Sequence, residues 1–430
     1  MIKFIITILL LYNSLVYGNE RIVIDGKKNY RGLVEFKGNV IIVSGSEINL
    51  SENAILQFSG EIKFKGKKDN KIIIKGENNS IIRFINSSVN IENIEVYGLE
   101  SLEFIESNGL VQRSNFKRNK VALKNTRNSN LNIENVSFTN NEIAIAIELK
   151  SFGKVNKCNF EQNGASMVLA QQGKGEVYNS TFSKNNIGVI LNRDSIGLIS
   201  SSKFKVNNNA IYMYQNIGSK IKGNHFSKNK TAVYGEVYTD TEIESNDFVE
   251  NERAIDFIQY TGGKIRLNNF SKNGTAIFLE KKSSPDIRNN NFNENNVGVY
   301  CNFTSYPVIT KNNFINNSIH IKLGEYQSSD FERKMGSEVI QMKEVVERQS
   351  KRATTINKNK VNIYSGEVFA KKNYWDEKTL KEMATKDNVS TIYDGYDLKE
   401  VTYEGYGDTK YKIDIVSYKP YLTSPVIFEK

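Results

Sequence analysis

"NNFSKNGTAIFLE" runs from Asn268 to Glu280, and the chain repeats it with changes: "NDFVENERAIDFI" stands 22 residues earlier and "NNFNENNVGVYCN" 22 later. Its phenylalanine belongs to a series at Phe116, Phe138, Phe160, Phe182, Phe204, Phe226, Phe248, Phe270, Phe292 and Phe314, each step 22 residues. Asparagine stands three residues after every one of them, from Asn119 to Asn317. Five residues before each stands Val or Ile, from Val111 to Ile309. Six after, the residue is small, from Ala122 to Gly298, until His320 breaks the column. A register kept this long marks a repeat architecture.

Inside the unit, apolar residues alternate with a period of two, as in Ile187, Val189 and Leu191. That is the strand period, and no helical face emerges. Twenty-two residues hold three short strands: one around the Val or Ile, one around the Phe, and one five to ten residues after it. With no room for hairpins, the unit is one coil of a parallel solenoid, stacked on the next at ~4.8 Å. Each Phe then lies on the next inside the coil. The Asn is expected at a corner, where it tolerates a left-handed backbone and bonds the Asn of the neighbouring coil in a ladder.

The repeat resembles the right-handed parallel β-helix of the pectate-lyase-like superfold, and in particular the NosD-like group classed with carbohydrate-binding proteins and sugar hydrolases. The resemblance covers residues 110–323 and supplies the handedness. "GNVIIVSGSEINLSENAILQFSGEIKFKGKKDNKIIIKG", Gly38 to Gly76, resembles the opening coils of such proteins. "KKNYWDE", Lys371 to Glu377, resembles the Asn-Tyr-Trp closing coil, with Trp375 at the Phe position and Asn373 two before it. "EGYGDTKY", Glu404 to Tyr411, echoes a tail motif of nitrous-oxide-reductase maturation proteins.

The expected fold is therefore all-β: a right-handed single-stranded parallel β-helix of 22-residue coils, with an inserted amphipathic helix and a C-terminal cap. Residues 1–18 read as a signal peptide, since Lys3 precedes an apolar run from Phe4 to Val16 that is short for a membrane span. Irregular coils fill 19–109 and ten regular coils 110–323. An insert and return strand fill 324–372, and the closing coil and cap fill 373–430. Within the insert, Phe331, Met335, Val339, Met342 and Val346 share one face of a helix expected over 330–351, which would cover the rod or dock a protein partner. The expected location is outside the cytoplasm, periplasmic or secreted, with no membrane span in the mature chain.

The formal net charge of +10 permits an acidic partner without naming one. On the first strand, Lys220 and Lys222 are followed one coil later by Glu242 and Glu244, then by Lys264 and Arg266, then by Asp286 and Arg288. A stripe broken by opposite charge is built for cross-strand pairing and excludes a nucleic-acid track. Two cysteines, Cys158 and Cys301, stand six coils apart, ~29 Å at the coil spacing, too far for a disulfide. With His225 and His320 as the only histidines, no metal site or cofactor is expected.

The outward positions of the third strand carry the functional signal. They place Tyr212, Tyr214, Tyr234, Phe278 and Tyr300 beside Glu236, Asp256 and Glu280 over five coils. Aromatic rings at one-coil steps suit an extended polysaccharide, and they equally suit stacking on one another. The expected function is a non-catalytic exported scaffold that binds such a polysaccharide. A hydrolase or lyase using Glu236, Asp256 and Glu280 is the alternative, since inverting glycosidases hold two carboxyls ~6.5–9.5 Å apart. A NosD-like periplasmic maturation or assembly role is the third reading.

Overall fold

The computed structural model describes residues 21–334 and 366–428. The signal peptide expected over 1–18, and the expected helix beyond Lys334, lie outside the described residues.

Each coil contributes three strands to a continuous parallel solenoid. The Phe-bearing second strands stack into a sheet of 15. The first and third strands build the other walls, joined as one sheet of 29. Registers are in step: Phe226 pairs with Phe248, Ile243 with Ile265 and Tyr234 with Asp256. The irregular N-terminal stretch continues the coil, with Leu33–Val43 pairing along its length with Ile55–Lys65.

A stacked aromatic column runs through the core beside buried aliphatic columns such as Ile221, Ile243 and Ile265. From Phe116 to Phe314 the rings are fully buried and stacked, at centroid separations between 4.5 Å and 5.3 Å. The column carries on into the closing coil, where Trp375 stacks on Phe314 at 4.8 Å.

The Asn ladder forms, although its corner works differently from the expectation. Each ladder Asn is buried and donates Nδ2 to Oδ1 of the next: Asn229 to Asn251 at 2.9 Å, Asn251 to Asn273 at 3.0 Å. Its backbone N–H meets the same oxygen. The left-handed residue, however, is the one before it: Arg118, Gln162, Lys184, Val206, Lys228 and Glu250 all have φ between 49° and 59° at that position. Its strain is offset because its N–H bonds the next coil, as Lys228 N does to Val249 O at 3.1 Å. Asn is therefore selected for the ladder and not for the turn.

A second ladder runs two residues before each Phe in the later coils. Asn224, Asn246, Asn268, Asn290 and Asn312 link in series and end on Asn373. The earlier coils hold Ser114, Cys158, Ser180 and Ser202 at that position.

Past the last regular coil, α1 (Ser329–Lys334) sets Phe331 edge-on against Tyr403, Tyr406 and Tyr411. The described part of the insert thus packs on its own cap. Glu367–Phe369, Tyr374–Trp375 and Ile392–Tyr393 supply the strands of a closing coil. Asp376 caps α2 (Glu377–Thr385) by accepting from Thr379 N at 3.0 Å. His320, too large for the small-residue column, is fully buried there between Asn317 and Thr379. Among the described residues no helix is long and apolar enough to cross a membrane.

Candidate functional site

Third strands from Asn209–Tyr214 to Val297–Cys301 present one column in register: Tyr212, Tyr234, Asp256, Phe278 and Tyr300. The expected residues are brought to one face, but their rings are not laid out as open platforms. Tyr212 stacks on Tyr234 at 5.5 Å and Phe278 on Tyr300 at 4.7 Å. Ring faces are thereby spent on each other within each pair. Tyr214 is exposed, pairs in register with Glu236, and has no ring partner among the described residues.

Between the two pairs, where no ring stands, Arg253 closes the step. Its Nη1 donates to Asp256 Oδ2 at 2.7 Å, and its Cζ lies 3.9 Å from the Phe278 centroid. Sequence spacing did not single out Arg253, because its position alternates among Asn209, Thr231 and Thr275 in adjacent coils.

The carboxylates occupy distinct settings. Glu236 takes the hydroxyl protons of both Tyr212 and Tyr234, the latter at 3.0 Å, on separate oxygens. Burial first, and then Glu236, push both phenols well above their ordinary value. Asp256 is only 4% exposed, and its Oδ1 has no hydrogen-bond partner among the described residues. Burial raises its carboxyl above the usual range, with Arg253 opposing and the charge of Glu280 adding to the rise. Glu280 is two coils from Glu236 in the neighbouring column, with Ile258 between them, and accepts from Asn302 at 3.4 Å. Burial and the charge of Glu280 push the Tyr300 phenol up to about 12.

A groove of about 440 Å³ opens beside this column, lined by Tyr212, Tyr234, Glu236 and Asp256 with Lys230, Glu252 and Arg253. The first-strand face behaves as charge alternation demands. Lys222 meets Glu244 at 3.1 Å, and Arg266 meets Glu244 at 2.9 Å and also Glu242. His225 on the second strand pairs with Asp247 at 2.9 Å.

A family model described as "Right handed beta helix region" matches residues 168–362. With the solenoid above, the chain folds as a right-handed parallel β-helix. No curated protein matches it. Among solved structures it is similar to the periplasmic alginate epimerase AlgG, at 10% identity and TM-score 0.33, covering 66% of this chain and 78% of that one. It is also similar to a mannuronic acid specific polysaccharide family 6 lyase from human gut microbiota, at 11% identity and TM-score 0.33, covering 68% of this chain and 91% of that one.

Proposed function

We propose that the chain is an exported, non-catalytic β-helix that holds an extended polysaccharide along the outward face of its third strands. The observation that carries this reading is the in-register column from Tyr212 to Tyr300 beside a groove of about 440 Å³. Tyr212, Tyr234 and Asp256 recur there once per coil, ~4.8 Å apart, so a chain laid along the axis meets a polar group on each of the three coils of the groove. The apolar leader from Phe4 to Val16 supports export.

Binding is favoured over turnover by how the carboxylates are engaged. A general acid or base must reach the proton it moves. Both oxygens of Glu236 are taken by tyrosines, and Asp256 Oδ2 is held by Arg253. A polysaccharide hydrolase or lyase is the second reading. One observation favours it, the raised carboxyl of Asp256 close to the charge of Glu280.

The test is a glycan array on the mature protein beside the double variant Tyr234→Ala/Phe278→Ala, with an assay for new reducing ends and unsaturated ends on every hit. Retention by the wild type, at least roughly tenfold loss in the variant and no product are expected. Product formation that Asp256→Asn abolishes would replace binding by catalysis. Absence of binding to every glycan would overturn both readings.

A further inference from the structure

The groove gathers hydrogen-bond acceptors beside the donors of Asn208, Asn209, Lys230 and Thr231. Tyr212 and Tyr234 donate their hydroxyls to Glu236 in hydrogen bonds, so their phenol oxygens offer a ligand only lone pairs. Glu252 adds an exposed carboxylate with no ion pair among the described residues. Asp256 Oδ1, in a side chain more than nine-tenths buried, has no donor among the described residues and lies out of contact with solvent.

Charge points the same way. Glu236, Glu252 and Asp256 line the groove against Lys230 and Arg253, and Glu280 stands one coil further along. Of the two cations, Arg253 is already committed to Asp256 and to the ring of Phe278. The lining therefore carries a net negative charge although the whole chain is +10.

We infer that the groove selects a glycan without acidic groups, one that presents hydroxyl or amino donors, and rejects polyuronates and sulfated chains. This rests on the reading of the groove as a polysaccharide site. A carboxylate or sulfate cannot donate to Glu236, Glu252 or the phenol oxygens, and it meets a like-signed wall. Sugar hydroxyls and ammonium groups can donate to all of them. Positive charge elsewhere on the rod draws acidic polymers to other faces, so bulk charge and groove preference have opposite sign.

The experiment is a calorimetric titration of the mature protein with three hexasaccharides: a β-1,4-glucan, a β-1,4-glucosamine with free amines, and an oligomannuronate. Each is run at low salt and at about 0.5 M salt, where exposed charges are screened. The glucan and the glucosamine are expected to bind, and the mannuronate at least roughly tenfold more weakly. Added salt should weaken the glucosamine and narrow the deficit of the mannuronate. In Glu252→Lys, mannuronate affinity should rise roughly threefold or more. Mannuronate binding as tight as the glucan, or no gain in Glu252→Lys, overturns the selection and leaves the groove a glycan site. No binding by any of the three overturns the groove reading and the selection with it.

Discussion

Arg253 sits over the ring of Phe278, one coil along the solenoid, with its Cζ 3.9 Å from the centroid. The same guanidinium holds Asp256, so a charged pair occupies the one step of the outer column that lacks a ring. Arg is suited to this because its planar fork can stack and donate at once.

Arg253→Leu should therefore destabilise the fold by ~2 kcal/mol at pH 7, because it strands a buried carboxylate. The loss should shrink on acidification. Burial raises the Asp256 carboxyl, so the folded chain keeps that proton to a higher pH than the unfolded chain does. The penalty is absent below the unfolded value, near 3.9, and grows as pH rises through the folded one. Urea unfolding at pH 7 and pH 4.5 checks this, with Asp256→Asn expected to restore most of the lost stability. An equal loss at both pH values would sink the account.

Asn251 accepts from Asn229 and donates to Asn273 and to Phe226 O, the last at 3.0 Å. Asn251→Ala removes the acceptor of Asn229 N and Nδ2 and the donor to Phe226 O, leaving buried groups unpaired on the preceding coil. It should cost ~3 kcal/mol, on the scale of two to three lost buried bonds. Asn119→Ala, at the N-terminal end of the ladder, strands only the Leu99 N–H as a donor and should cost less. Chemical denaturation of the two variants gives the comparison, and equal costs would contradict the ladder's role.

Burial pushes the Cys158 thiol up to about 12, and Cys301 is raised by complete burial. Neither should react with iodoacetamide at pH 8 in the native protein, and both should react in denaturant. Intact-mass spectrometry counts the adducts. Labelling of native protein would mean that the coils open around Phe160 or Val299.

Glu95 bonds Lys71 at 2.7 Å and also receives the Tyr97 hydroxyl, and these contacts draw its carboxyl down to about 2. A lowered folded value contributes stability above the unfolded pKa, near 4.3, that is lost as pH falls toward 2. Solvent on that face screens the pair, so ~1 kcal/mol is expected. Glu95→Gln should flatten the acid limb of the stability curve between pH 4.5 and about 2 and barely alter thermal unfolding at low pH.

The solenoid was legible because its constraints recur. A ring, an amide and a β-branched residue at fixed offsets can satisfy burial in only one way when every coil has the same length, and Trp375 could be placed at the Phe position for that reason. The second ladder is also written in the sequence, in Asn224 through Asn312 two residues before each Phe, but Ser, Val and Cys hold that offset in the earlier coils and break its period. The left-handed corner was misassigned because the residue bearing it varies from Lys to Val, its strain being offset by backbone bonds that carry no side-chain signature. At the groove the sequence supplied the column but not the orientation of its rings. Whether Tyr212 faces a ligand or Tyr234 depends on χ angles, and neither spacing nor composition encodes those. Arg253 escaped notice because it appears once, and a period reveals only what it repeats.

The ladders have one more property. The oxygen of each amide must meet a backbone N–H, as Asn273 Oδ1 meets Asn251 N, so none of the amides is free to flip. Every side-chain carbonyl in the first ladder therefore points toward the N-terminal end, and the small dipoles add where those of alternating backbone groups cancel. The rod acquires an electrical direction, much as a helix does. Its negative pole is met by Leu99 N on Asn119 Oδ1, and its positive pole by His320, whose Nδ1 lies 3.2 Å from Asn317 Nδ2. That orientation leaves His320 Nε2 as the N–H, facing Thr379 Oγ1 at 3.0 Å and Asp376 Oδ2 at 3.2 Å. A column of uncharged amides thus fixes the tautomer of the one imidazole that closes it.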